Sequence, residues 1–248
     1  VKNVVVLNFL LMKKEIKTLA DIRRIVAFGD SVTFGMSASA PERCWASLTA
    51  QMLEKWSGAP VELRNKGVSA SILCRETPAY EFAANPCGLE RLHRDVIAQQ
   101  PDLLLVAYGL NDSRGGTSPS VFRRDYQRMI DEIRREINPA IVCLNLYYMH
   151  REFYADCEHW DHSDYLLTEE YNLILRQLAE QNGLWYADIY AAQQGTDWLV
   201  CTDHCHPNDL GHQLIANRVF ETIIRHCPPA DWAEESRSAG PKSENTFV

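Results

Sequence analysis

No apolar run in this 248-residue sequence approaches the roughly 20 residues of a membrane-spanning helix, so no such span is expected. Positive charge is also scarce. The 25 Lys and Arg against 33 Asp and Glu leave a formal charge of -8. A general nucleic-acid binder needs cations to neutralise phosphates, and that class is set aside. There is no internal repeat and no linker that would split the chain. A disulfide framework is missing too. The eight cysteines, at 44, 74, 87, 143, 157, 201, 205 and 227, are scattered through a long chain. Cys143 lies inside the apolar run AIVCLNLYY, where a free thiol packs as a small hydrophobe. Reduced thiols in a cytoplasm follow as the expectation. The N-terminal VKNVVVLNFLLM is faintly like the start of a signal peptide, which keeps a secreted or periplasmic location as the alternative. However, KKEIKTLADIRR follows it at once and no Ala-x-Ala cleavage site is present. It reads as a leading element, or as an extension ahead of a start at Met12.

What is present has the composition of a globular domain, with 46% hydrophobic and 23% charged residues. Short apolar runs alternate with longer amphipathic ones. Strands are expected at RIVAFG (24–29), VELRNKG (61–67), DLLLVAYG (102–109), AIVCLNLYY (140–148) and LWYADIY (184–190). Several are apolar almost throughout, as strands covered on both faces should be. Phe122, Tyr126, Met129, Ile130, Ile133 and Ile137 recur at helical spacing behind a Ser118 cap and a first-turn Pro119. A second helix is expected from about Asp164 to Asn182, stopped by Gly183. A third follows Pro207, capped by Asn208, with Leu210, Leu214, Ile215, Val219 and Ile223 turned inward. Such alternation predicts one open parallel sheet of about five strands between two helical layers. Residues 1–20 form an extension, 21–227 the domain, and 228–248, poor in periodicity, a loose tail.

In open parallel sheets, ligands bind beyond the carboxyl ends of the strands. The first strand is followed by Gly-Asp-Ser with Ser31, and the second ends in NKG with Gly67. The third is followed by GLND with Asn111, and the fifth leads to DHCH with Asp203 and His206. A serine hydroxyl becomes a nucleophile when a neighbouring base takes its proton, and His206 is the candidate base. Asp203, three residues earlier, is placed to hold the other ring nitrogen. The N–H groups of Ser31 and Gly67 and the Asn111 amide are candidate oxyanion donors.

Each residue also has a plainer reading. Ser31 can cap a helix, Asn111 can sit in a turn, and Gly67 can be a loop glycine. Asp112 reads as a brace for its turn. His204 competes with His206 but adjoins Asp203 directly, where adjacent side chains diverge, and His212 reads as a packing or surface residue. Two Cys/His groups raise a metal: His150, Cys157, His159 and His162, and Cys201, His204, Cys205 and His206. Neither matches a familiar zinc spacing, so no metal and no cofactor are expected. The segment 149–165 is a candidate flap, and 70–88 a candidate substrate wall.

Taken together, GDS, NKGVS, GLND and DHCH resemble the four marks of the SGNH hydrolases, the GDSL esterase and lipase family, in order over residues 25 to about 220. Val32 stands where that family has leucine. The resemblance implies a flavodoxin-like three-layer α/β/α fold. It also implies a metal-free serine esterase acting through an acyl-enzyme on Ser31. The expected substrates are small-molecule esters with short to medium acyl chains, acetyl esters of carbohydrates among them. An acyltransferase using the same site, or a non-catalytic binding protein of the same fold, are the alternatives.

Overall fold

The computed structural model describes residues 16, 18–150, 158–193 and 195–229. Five strands form one sheet: β1 (Arg24–Gly29), β2 (Glu62–Gly67), β3 (Leu103–Ala107), β4 (Ala140–Leu144) and β5 (Trp185–Ala187). Their spatial order is β2-β1-β3-β4-β5, and every pairing is parallel. The order reverses between β1 and β3, which is where an open α/β sheet opens its crevice. Gly29 pairs with Gly67 on one side and Ala107 on the other, so three chains leave the sheet on one rim.

Burial follows from this arrangement. Ile25 to Phe28 and Leu103 to Val106 are fully buried, because helices cover both faces of the central strands. The edge strand β2 is half-exposed and reads Glu-Leu-Arg-Asn-Lys-Gly. The long helices are α2 (Trp45–Ser57), α3 (Gly88–Asp95), α5 (Pro119–Glu136), α6 (Tyr165–Asn182) and α8 (Asp209–His226). Helix α2 packs against α8, and α5 packs against α3 and α6. Three short helices, α1 (Ser31–Phe34), α4 (Leu110–Arg114) and α7 (Ile189–Gln193), begin within three residues of a strand end. No helix of the described residues is long and apolar enough to cross a membrane.

The expected helix ends reflect local chemistry. Ser118 accepts from the Val121 N–H, Asp164 from Leu167, and Asn208 from both Leu210 and Gly211. Gly183 closes α6 at φ 59°, a left-handed turn that glycine makes without a side-chain clash. On α5 the expected apolar face is buried from Phe122 to Ile137. On α8, Ile215, Val219 and Ile223 face the core, but Leu210 is 60% exposed, contrary to expectation. It stands in the first turn of the helix.

The last two strands are shorter than their apolar runs suggest, because Asn145 diverts both chains. Its Oδ1 accepts from the N–H groups of Ile189 and Tyr190, and its Nδ2 donates to Asp188 Oδ1 at 2.7 Å. Leu19, inside the expected N-terminal extension, is buried, and its N–H donates to the Pro228 carbonyl. Residues 1–15, 17, 194 and 230–248 lie outside the described residues, as does part of the candidate flap, at 151–157.

The end of β2 is pressed onto α1. A Cβ on Gly67 would lie 2.1 Å from Phe34 N and 2.5 Å from the Thr33 carbonyl carbon. Both are backbone atoms that cannot rotate away. Gly67→Ala is therefore expected to cost about 1–3 kcal/mol, read as a lower urea midpoint at constant slope. An unmoved midpoint would mean that α1 can retreat.

Candidate active site

The site grows out of the turn after β1. Asp30 accepts from the Val32 N–H at 2.9 Å and starts α1, which lifts Ser31 to the rim. Gly35, at φ 99°, ends that helix after four residues. Trp45 Nε1 donates to the Val32 carbonyl at 2.9 Å and Asn65 Nδ2 to the Thr33 carbonyl at 2.7 Å. The short helix is thereby held from both sides.

His206 arrives from the other end of the chain. The loop before α8 closes on itself through a Val200–Pro207 bridge and a 2.8 Å bond from Cys201 N–H to the His206 carbonyl. His206 Nε2 then lies 2.8 Å from Ser31 Oγ, and its Nδ1 lies 2.8 Å from Asp203 Oδ2. The other carboxylate oxygen of Asp203 accepts from the Cys205 and His206 N–H groups at 3.0 and 2.9 Å. Burial favours the neutral acid at Asp203, but those two amides and the His206 ring outweigh it and hold the carboxyl below its usual range. An imidazole so held keeps Nε2 free to accept a hydroxyl proton. His204 turns the other way. It adopts φ 58°, and its ring lies 5.1 Å from that of His150.

Asn111 completes the rim from the α4 turn after β3. Gly109, at φ 126°, makes that turn where a Cβ would meet Leu146 and Phe122 at 2.9 Å. Asn111 is 6% exposed, and its Nδ2 donates to the Ser71 carbonyl at 3.1 Å. Asp112, fully buried, accepts from the Leu73 and Cys74 N–H groups, so its carboxylate braces the segment after β2 rather than its own turn. Ser31, Asn111 and His206 open onto one pocket of about 270 Å³, walled by Met36, Ser69, Ala70, Arg114, Trp160 and Cys205.

Gly67 does not join them. Its N–H donates to Asn65 Oδ1 at 2.9 Å, and its α-carbon is packed against α1. The chain reaches the pocket two residues later, at Ser69 and then at Ala70, which adopts φ 57°. The sequence points to the glycine because a left-handed or close-approach position favours glycine; here alanine takes the strained conformation instead. His212 is a second residue whose place the spacing does not reveal. It is buried, with Trp45 N–H donating to Nδ1 at 3.3 Å and Nε2 bonding the Met36 carbonyl at 3.1 Å. Burial holds its pKa below the usual value, in keeping with a neutral ring that accepts at one nitrogen and donates at the other.

Among the described residues, no three His, Cys, Asp or Glu side chains gather in a way that holds a metal ion. Cys157 lies outside them. The other seven cysteines are free thiols, six of them buried and Cys201 partly exposed.

Ser31, Asn111 and His206 thus stand together on the carboxyl rim of a parallel three-layer α/β/α sheet. The chain belongs to the GDSL-like Lipase/Acylhydrolase family, which it matches over residues 27–214. It is 26% identical over 224 residues to an acetylxylan esterase of Xylanibacter ruminicola, an alignment that takes in 82% of this chain and 43% of that protein. The chain thus spans less than half the length of this relative. Among solved structures it resembles a lipase/acylhydrolase from Enterococcus faecalis, with TM-score 0.67, 22% identity, and 84% and 98% of the two chains covered. It also resembles a catalytic mutant of an acetylxylan esterase from Geobacillus stearothermophilus, with TM-score 0.63, 17% identity, and 81% and 94% covered. At these identities the two structures speak for the fold.

Asp30 and Asp112 are both buried beneath the rim. Burial, with Asp112 nearby, pushes the Asp30 carboxyl up from 3.8 to about 7, and burial pushes Asp112 up to about 6. A raised carboxyl binds its proton more tightly in the folded chain. Its stabilising contribution is complete below pH 3.8 and is lost as pH rises through about 7. Relative to Asp30→Asn, which does not titrate, the wild type should therefore lose unfolding free energy between those pH values. Parallel stability curves for the two proteins would rule out the raised Asp30.

Proposed function

We propose that the protein is a serine esterase in which Ser31 is the nucleophile, His206 the general base and Asp203 the residue that orients it. The observation that carries this reading is the continuous Ser31–His206–Asp203 hydrogen-bond chain, with both links at 2.8 Å. Ser31 Oγ attacks the ester carbonyl as its proton passes to His206 Nε2. The imidazolium, stabilised by Asp203, returns that proton to the departing alcohol. A water activated by the same nitrogen then releases the acid and frees Ser31. The developing oxyanion is met by the Ser31 N–H and the second N–H of the Asn111 amide, with the Ala70 N–H as third donor in place of Gly67.

Short acyl chains suit the pocket, in which the small side chains of Ser69, Ala70 and Cys205 stand alongside the bulk of Met36, Arg114 and Trp160 in a space of only about 270 Å³. Acetyl esters of carbohydrates are the substrate class we favour, supported by the acetylxylan esterases among the similar proteins. Free thiols at seven cysteines support the reading of a reducing, cytoplasmic location. The catalytic unit is taken as residues 21–227.

Hydrolysis of p-nitrophenyl acetate, butyrate and octanoate tests the assignment. Ser31→Ala and His206→Ala should each lower kcat by more than about a thousandfold with all three esters. Asn111→Ala should lower it by about a hundred- to a thousandfold. Acetate should be turned over fastest. Undiminished turnover in Ser31→Ala would assign the chemistry to another group.

A further inference from the structure

The Asn111 amide depends on a network that lies outside the pocket. Its Nδ2 donates one hydrogen to the Ser71 carbonyl at 3.1 Å. The amide group is planar, so fixing one N–H direction fixes the other, which is the one left for substrate. What fixes Ser71 therefore fixes the donor. Ser71 is fully buried, and its hydroxyl lies 3.1 Å from the Tyr108 hydroxyl and accepts from Arg91 Nη2 at 3.0 Å. The same Nη2 donates to the Tyr108 hydroxyl.

Arg91 belongs to α3 and is 3% exposed. Its guanidinium lies 5.3 Å from the centre of the Phe28 ring, and its Nη1 donates to Asp95 Oδ2 at 2.7 Å. Arg94 closes on the same carboxylate with Nε and Nη2. Burial works to raise the Asp95 pKa, but the two guanidinium groups outweigh it and hold the carboxyl ionised. A buried ion pair is a poor source of stability, because desolvation offsets most of its attraction. A buried pair held by several further partners does fix geometry, since each member has few alternatives; here only the Arg91 Nε lacks a partner. Here the geometry that it fixes ends on the carbonyl that holds Asn111.

We propose that Arg91 is a positioning residue for the oxyanion donor, acting through the Ser71 hydroxyl and carbonyl on the Asn111 amide. This rests on the role given to Asn111 above. Oxyanion donors act only within a few tenths of an ångström of their working position, and displacement by about 1 Å costs about a hundredfold. Ser71→Ala removes the hydroxyl and little else. It should lower kcat for p-nitrophenyl acetate about tenfold and leave KM within about twofold. Arg91→Met should lower kcat further, by about thirtyfold, again with little change in KM.

The decisive measurement is the double-mutant cycle. With Asn111→Ala already in place, adding Ser71→Ala should change kcat by less than about twofold, because the donor being positioned is gone. A full tenfold loss in that background would overturn the proposal while leaving Asn111 as a donor. Unchanged kcat in Ser71→Ala alone would overturn it as well. Full activity in Asn111→Ala would instead remove the donor role on which the proposal rests. Ser71→Ala keeps the test decisive if Arg91→Met fails to fold.

Discussion

The hydrogen bond between Ser31 and His206 joins residues 175 positions apart, and most of the architecture serves to place its two ends. Neither group is positioned by its neighbours in sequence alone. Ser31 stands where it does because β1 runs between β2 and β3 and ends level with both. His206 stands where it does because α8 packs against α2, which follows the Ser31 turn within the same layer. His212, one turn into α8, ties the two sides directly by bonding Met36 and Trp45. Asp209 adds a second tie from α8, accepting from Ser39 and pairing with Arg43. The working distance is therefore set by packing across a layer rather than by a single flexible loop.

Beneath the rim, charge is handled in two different ways. Asp203 is partly exposed and is stabilised as an anion by amides and an imidazole. Asp30 and Asp112 are buried and shift toward the neutral acid. Asp30 and Asp112, raised to about 7 and about 6, give up their charge as pH falls through that range, whereas Asp203 keeps its charge where an imidazolium would form. Burial, not sequence position, sorts the three.

Much of this was legible in the sequence. Period and composition gave the alternation of elements, and the residue after each strand named the rim groups. Ser31 and Asn111 converge because parallel strands end on one side, a property of topology that spacing reveals, whereas Asp203 and His206 come from the loop before α8. Gly67 was read as a donor because glycine near a site suggests close approach. The close approach is real, but it is to α1 rather than to the pocket. The strand runs at 140–148 and 184–190 were overextended, since hydrophobicity continues past the point where the Asn145 side chain redirects the chain. Arg91 and Ser71 carry no signal, because the bonds that join them to each other and to Tyr108 span 17 or more positions and form only once the layers have assembled.

The distribution of cysteines gives the molecule a practical property. Of the seven among the described residues, only Cys201 is partly exposed, and its N–H is bonded to the carbonyl of His206. In a Cys157→Ser chain, a thiol-directed fluorophore or spin label would select this position over its six buried counterparts. The attached reporter would then sit on the loop that carries the imidazole, where its signal would follow the movements of that loop during turnover.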